Sequence, residues 1–216
     1  MDAKKNIKGI PSGYSEIDMV TNGWKPSALI VIAGRPNVGK TSFALSMAKT
    51  IAVDENIPVA YFSLDLSNVR LVSRLLDAEK VQRPDELKRL DKDVNVLMDA
   101  PLYVDDTQDM SLAGIQAKAE DLVRQHNVKL IVIDYLQLLN TPPSCHSLKD
   151  MAIELNTPII VVSQQDEDNV PQLADFNSAD IVLSVNRSGG NSGDTQVVIS
   201  KNGRDETGDV VIHLKG

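Results

Sequence analysis

A single cysteine in 216 residues, Cys145, excludes an internal disulfide and suits a reducing compartment, the cytoplasm. No apolar run approaches the roughly 18–20 residues that a membrane helix needs. The longest, such as Ala28-Leu-Ile-Val-Ile-Ala33, have the length of a buried strand, so no membrane association is expected. Met1 to Lys8 carries lysines with no apolar core behind them, so no signal peptide is expected. The three histidines, His126, His146 and His213, are scattered, and Cys145 and His146 are adjacent rather than spaced as zinc ligands. Repeats, low-complexity tracts and long linkers are missing as well. Basic residues are absent from a whole region: Asp150 to Asn186 has no Lys or Arg against seven acidic side chains. The net charge of −8 makes the chain a poor general binder of polyanions, because that affinity comes from Lys and Arg displacing counterions. A few basic residues on one loop could still suffice locally.

What is present is an ordinary globular composition, 42% hydrophobic and 24% charged. The length suits one sizeable domain spanning 1–216, with 1–27 leading into a core at 28–216. Strand-like and helix-like stretches alternate. The run at 28–33 precedes a helical pattern from Lys40 to about Val53, and Pro58 to Ser63 reads as a second strand. Ser67-Asn68 could cap a polar helical region filling roughly 67–98. Pro101 to Asp105 reads as a strand, Ser111 to Gln125 as an amphipathic helix, and Val128 to Asp134 as a strand ending in a carboxylate. A short helix at about 146–155, a strand from Pro158 to Ser163, and strands at 180–186, 195–201 and 209–214 complete the pattern. Continuous apolar strands separated by helices predict an α/β fold with a mostly parallel twisted sheet covered on both faces. The last strands, joined by Gly-rich turns, are expected to pair antiparallel at one edge.

The stretch Gly34, Arg35, Pro36, Asn37, Val38, Gly39, Lys40, Thr41 matches G-x-x-x-x-G-K-[ST] at every fixed position, with Ser42 next to it. Chance matches should arise on the order of once in a hundred chains of this length. Here the motif also follows a strand and opens a helix. Its glycines let backbone N–H groups point at phosphates, and the helix N-terminus adds favourable partial charge. Lys40 would neutralise phosphate charge, and the Thr41 hydroxyl would ligate Mg²⁺. Asp134, at the carboxyl end of an apolar strand, stands where a carboxylate would orient the magnesium shell beside the P-loop. Asp65 and Gln164 follow two other strands, and carboxyl strand ends gather at one edge of such a sheet, so both could face the γ-phosphate.

Taken in order, these residues resemble the ATPase domain of the DnaB-type replicative DNA helicases. The resemblance starts at Gly9-Ile-Pro-Ser-Gly-Tyr-Ser-Glu-Ile-Asp18 and continues through the P-loop and Phe62-Ser-Leu-Asp-Leu66. Leu102-Tyr-Val-Asp-Asp-Thr107, Ile133-Asp-Tyr-Leu-Gln-Leu138 and Pro158-Ile-Ile-Val-Val-Ser-Gln164 follow, with Ala179-Asp-Ile-Val182 and Ile199-Ser-Lys201 at the end. The resemblance implies a RecA-like P-loop fold, ATP as the nucleotide, single-stranded DNA as partner, and a hexameric ring with ATP between neighbouring copies. It gives Gln164 the role of γ-phosphate sensor and Lys201 that of the basic residue reaching the next subunit's nucleotide. Arg204 is the nearest candidate for the arginine finger.

Three departures from the family pattern stand out. The catalytic glutamate falls on Asp65, one methylene shorter, which implies slow turnover or binding alone. Arg204 lies one residue later after Lys201 than the family's finger, and on a strand such a shift turns the side chain to the other face. The loops that would carry DNA contacts are reduced to about 140–147 and to 165–177, and Asp166-Glu167-Asp168 would repel a phosphate backbone. Two readings therefore stay open: a helicase motor domain, or a loop-trimmed relative that uses ATP as a regulatory or assembly signal. A recombinase-like ATPase is disfavoured by the Asp134-Tyr-Leu-Gln137 run.

Overall fold

The computed structural model describes residues 7–76, 94–141, 143–164, 176–187, 195–203 and 210–214. Among the described residues eight strands form one sheet, in the order β3-β2-β4-β5-β1-β6-β7-β8. They are β1 (Leu29–Gly34), β2 (Val59–Ser63), β3 (Leu102–Asp105), β4 (Leu130–Asp134), β5 (Ile159–Gln164), β6 (Ile181–Arg187), β7 (Thr195–Asn202) and β8 (Val210–Leu214). The first six pair parallel, while β6–β7 and β7–β8 pair antiparallel, as expected for a doubly covered sheet with an antiparallel edge.

Side chains of the apolar strands alternate between two cores. Ile30 and Ile32 of β1, Val132 of β4 and Ile160 of β5 pack with Phe43, Met47 and Ile51 of α2 (Lys40–Val53) on one face. The helices α1 (Ser15–Thr21) and α3 (Asn68–Leu75) add Ile17, Leu71 and Leu75 to that core. Leu29, Val31, Ile131 and Val161 face the opposite side. There they meet Ile115 and Ala119 of α4 (Leu112–His126), and Leu148 and Met151 of α5 (Cys145–Glu154). A run that is apolar at every position is what burial on both faces of a sheet requires. Among the described residues no helix is long and apolar enough to cross a membrane.

Ser111 caps α4 by accepting from the Gly114 N–H at 3.1 Å, and Ser144 caps α5 by accepting from the Ser147 N–H at 3.0 Å. The expected cap of α3 is corrected. Ser67 occupies the N-cap position but makes no side-chain cap bond. The Asp106 carboxylate, just beyond β3, takes its place, accepting from the Asn68 N–H at 2.8 Å and from Asn68 Nδ2 at 3.0 Å. A carboxylate from a neighbouring strand end offers two acceptors and negative charge at the helix start, more than a hydroxyl supplies. The helical region expected at 67–98 is helical at Asn68–Leu75 and again at 94–99, and its middle, 77–93, lies outside the described residues. Trp24 is fully buried and packs in the first core.

Candidate functional site

Strand register builds the site. Gly34 at the end of β1 pairs with Gln164 at the end of β5, and Ser63 at the end of β2 pairs with Asp134 at the end of β4. Four carboxyl strand ends thus finish in one row. Above them lies a cleft of about 410 Å³ lined by Lys40, Thr41, Asp65, Gln164 and other side chains. Asn37 and Gly39 of the connecting loop hold positive φ angles of 61° and 98°, and α2 begins at Lys40. Loop N–H groups set in such turns, followed by a helix N-terminus, form an anion cradle.

Lys40 is buried, and its Nζ donates to the Arg35 carbonyl at 2.6 Å. Burial holds its pKa below the ordinary lysine value, and the nearby Asp134 charge opposes that shift. Asp134 is buried beneath the cleft floor. Its Oδ1 accepts from Thr41 Oγ1 at 3.2 Å and its Oδ2 from the Tyr61 hydroxyl at 2.7 Å. Burial raises its pKa above the usual carboxylate range, and the two hydroxyl hydrogen bonds work against that rise. The charge of Asp65 pushes the pKa further up, while Arg74 pulls it down. Burial and the adjacent Asp134 raise the pKa of Tyr61 well above the ordinary phenol value. Thr41 Oγ1 and Asp134 Oδ1 are paired hard oxygens at the cradle, a donor set that fits magnesium completed by phosphate oxygens and water. Among the described residues no group of three or more His, Cys, Asp or Glu could hold a metal without such help.

The fold brings together the P-loop, Asp65, Asp134 and Gln164. Lys201 stands apart, on β7, where its Nζ donates to the carbonyls of Phe176 at 3.0 Å and Asn177 at 2.7 Å. Arg204 lies outside the described residues, as does most of the acidic loop, 165–175.

Sequence reasoning missed Arg74, Tyr135 and Arg187, which also line the cleft, and Tyr61 beneath it. Leu71 and Leu75 turn inward at helical spacing, but Arg70 and Arg74 lie one turn apart on the same face of α3, so the fold and not the helical phase brings Arg74 to the cleft. Gln137 was missed too: its Nε2 donates to Ser163 Oγ at 3.0 Å and to the Gln164 carbonyl at 3.2 Å, tying the turn after β4 to the end of β5.

The sequence model of the DnaB-like helicase C terminal domain matches residues 9–216. The replicative DNA helicase DnaB of Treponema pallidum (strain Nichols) is 32% identical over 243 residues, covering 98% of this chain and 55% of that protein. The chain therefore spans about half the length of the curated relatives it matches. A solved DnaB-like replicative helicase superposes with a TM-score of 0.81 at 26% identity, covering 97% of this chain and 60% of that one. A second solved structure, an ATPase domain, superposes with a TM-score of 0.80 at 26% identity, covering 95% of this chain and 88% of that one. The sheet order and these superpositions make the fold RecA-like. The family matches nearly the whole chain, and its nucleotide-type cleft lies where the fold gathers the strand ends: this chain belongs to the DnaB-like helicase C terminal domain family.

Proposed function

We propose that this chain is the ATP-hydrolysing motor domain of a replicative DNA helicase, working in the cytoplasm as one member of a hexameric ring on single-stranded DNA. The observation that carries this reading is the cleft at the sheet's carboxyl edge, where Lys40 and Thr41 face Asp65 and Gln164 above the buried Asp134. The loop N–H groups between Gly34 and Ser42, of which Pro36 has none, would hold the ATP phosphates together with Lys40. Thr41 and Asp134 would hold Mg²⁺, which when bound neutralises charge developing on the phosphate oxygens. Asp65 would orient the attacking water from the exposed rim, and Gln164 would contact the γ-phosphate. Lys201 and Arg204 would serve the nucleotide of the neighbouring copy; Lys201 is not among the residues that line its own cleft.

A second reading, a regulator that binds ATP and little DNA, draws on the absence of Lys and Arg from Asp150 to Asn186. Steady-state ATPase rates with and without single-stranded DNA, at low and physiological salt, separate the two. A motor shows DNA stimulation that weakens with salt, and Asp65→Glu raises its turnover. A rate indifferent to DNA, with nucleotide still bound, selects the regulator. Lys40→Ala should abolish nucleotide binding in either case; unchanged affinity would overturn the site assignment itself.

A further inference from the structure

β2 carries a tyrosine where a buried strand position asks only for an apolar side chain. Tyr61 pairs with Val132 of β4, so its side chain shares a face with Val132 and with Asp134, two residues further on. Diagonal neighbours on one sheet face stand about 7–8 Å apart at Cα, a gap that an aromatic ring spans. The ring of Tyr61 is fully buried in the core beneath α2, and its hydroxyl reaches Asp134 Oδ2 at 2.7 Å. Phenylalanine would fill the same space without the donor. The two oxygens of Asp134 are thereby divided: Oδ1 faces Thr41 and the cradle, and Oδ2 is held from below.

We propose that Tyr61 is a positioning residue for magnesium: its hydroxyl fixes the rotation of the Asp134 carboxylate, keeping Oδ1 aimed at Thr41. This rests on the assignment of Thr41 and Asp134 to the magnesium site. Partners that orient a ligating carboxylate in this way set metal affinity while touching no metal, and their loss costs about 10–100-fold. A tyrosine held only for packing would tolerate phenylalanine and leave the metal response alone.

The test is a magnesium titration of binding by a fluorescent N-methylanthraniloyl derivative of ATP, with thermal unfolding measured alongside. In Tyr61→Phe the magnesium concentration for half-maximal binding should rise about tenfold, while affinity without magnesium stays close to wild type and the unfolding temperature falls with the hydrogen bond lost to a buried carboxylate. In an Asp134→Asn background, Tyr61→Phe should add nothing, since Tyr61 acts through that carboxylate. A titration superposing on wild type, a tighter magnesium response, or additive effects of the two substitutions would overturn the proposal. Should Tyr61→Phe not fold, the ¹³Cζ resonance of Tyr61 in the wild-type chain must shift when magnesium is added to the nucleotide complex, and an unmoved resonance overturns it. Wild-type binding indifferent to magnesium would instead remove the site assignment beneath it, so the two failures are distinct.

Discussion

Replacing Gly34 by alanine separates two uses of glycine within one motif. A Cβ at Gly34 would stand 2.4 Å from the Val185 carbonyl oxygen and 3.1 Å from Val38 Cγ2. Carbon–oxygen contacts close to roughly 3.3 Å at best, so β6 would have to retreat by about 1 Å from the end of β1. That clash is backbone against side chain at a buried position, where overpacking costs about 1–3 kcal/mol. The neighbouring ladder bonds around the Ala33 and Ser184 pair would lengthen as well, adding about 1 kcal/mol. A loss of about 3 kcal/mol is a large share of the typical stability of about 5–15 kcal/mol. With a urea slope of about 3 kcal/mol per molar, the unfolding midpoint should fall by about 1 M. Gly39 is the control. No atom lies within 4 Å of its would-be Cβ, and its demand is the φ of +98°, which costs an alanine about 1–2 kcal/mol. Urea unfolding of both variants, followed by circular dichroism, should place Gly34→Ala clearly below Gly39→Ala. Equal midpoints, or a Gly34→Ala midpoint matching wild type, would refute the close-approach reasoning.

Helix capping and acid stability yield the remaining expectations. Ser111→Ala should cost about 1 kcal/mol and speed hydrogen exchange at the Gly114 amide, whereas Ser67→Ala, which removes no cap bond, should change stability by less than about 0.5 kcal/mol; equal losses would contradict the cap assignment. Asp105 is pushed up by burial, but hydrogen bonds from Lys118 and Thr107 and the Lys118 charge outweigh this and hold its pKa below the usual carboxylate range. A carboxyl with a lowered folded pKa stabilises above its unfolded value, near about 3.9, and loses that contribution as pH falls through the folded value. Lys118→Met should therefore flatten the acid limb of urea midpoints measured from about pH 5 down to about pH 2, and a limb parallel to wild type would sink this account.

Local chemistry made much of this protein legible in advance. The apolar strand at 28–33, the turn that follows and the Lys40-Thr41 pair opening α2 all depend on neighbours in sequence, and the order of strands and helices follows from periodicity. The same holds for Asp134, Asp65 and Gln164 as strand-end residues, because a parallel sheet sends every carboxyl end to one edge. Other features depend on which strand lies beside which, and spacing carries no record of that. Ser67 sits where a cap belongs, yet Asp106, 38 positions from Asn68, holds the helix because β3 pairs with β2. Tyr61 reads as an ordinary strand residue until β4 is laid against β2 and brings Asp134 within reach of its hydroxyl. Gly34 belongs to a phosphate motif by sequence, but the carbonyl that forbids a side chain there comes from Val185, far along the chain on β6. Sequence alone determined the kind of elements and the kind of site, because backbone propensity and strand polarity are local; tertiary structure decided the partners, because contacts across the sheet depend on register between distant strands.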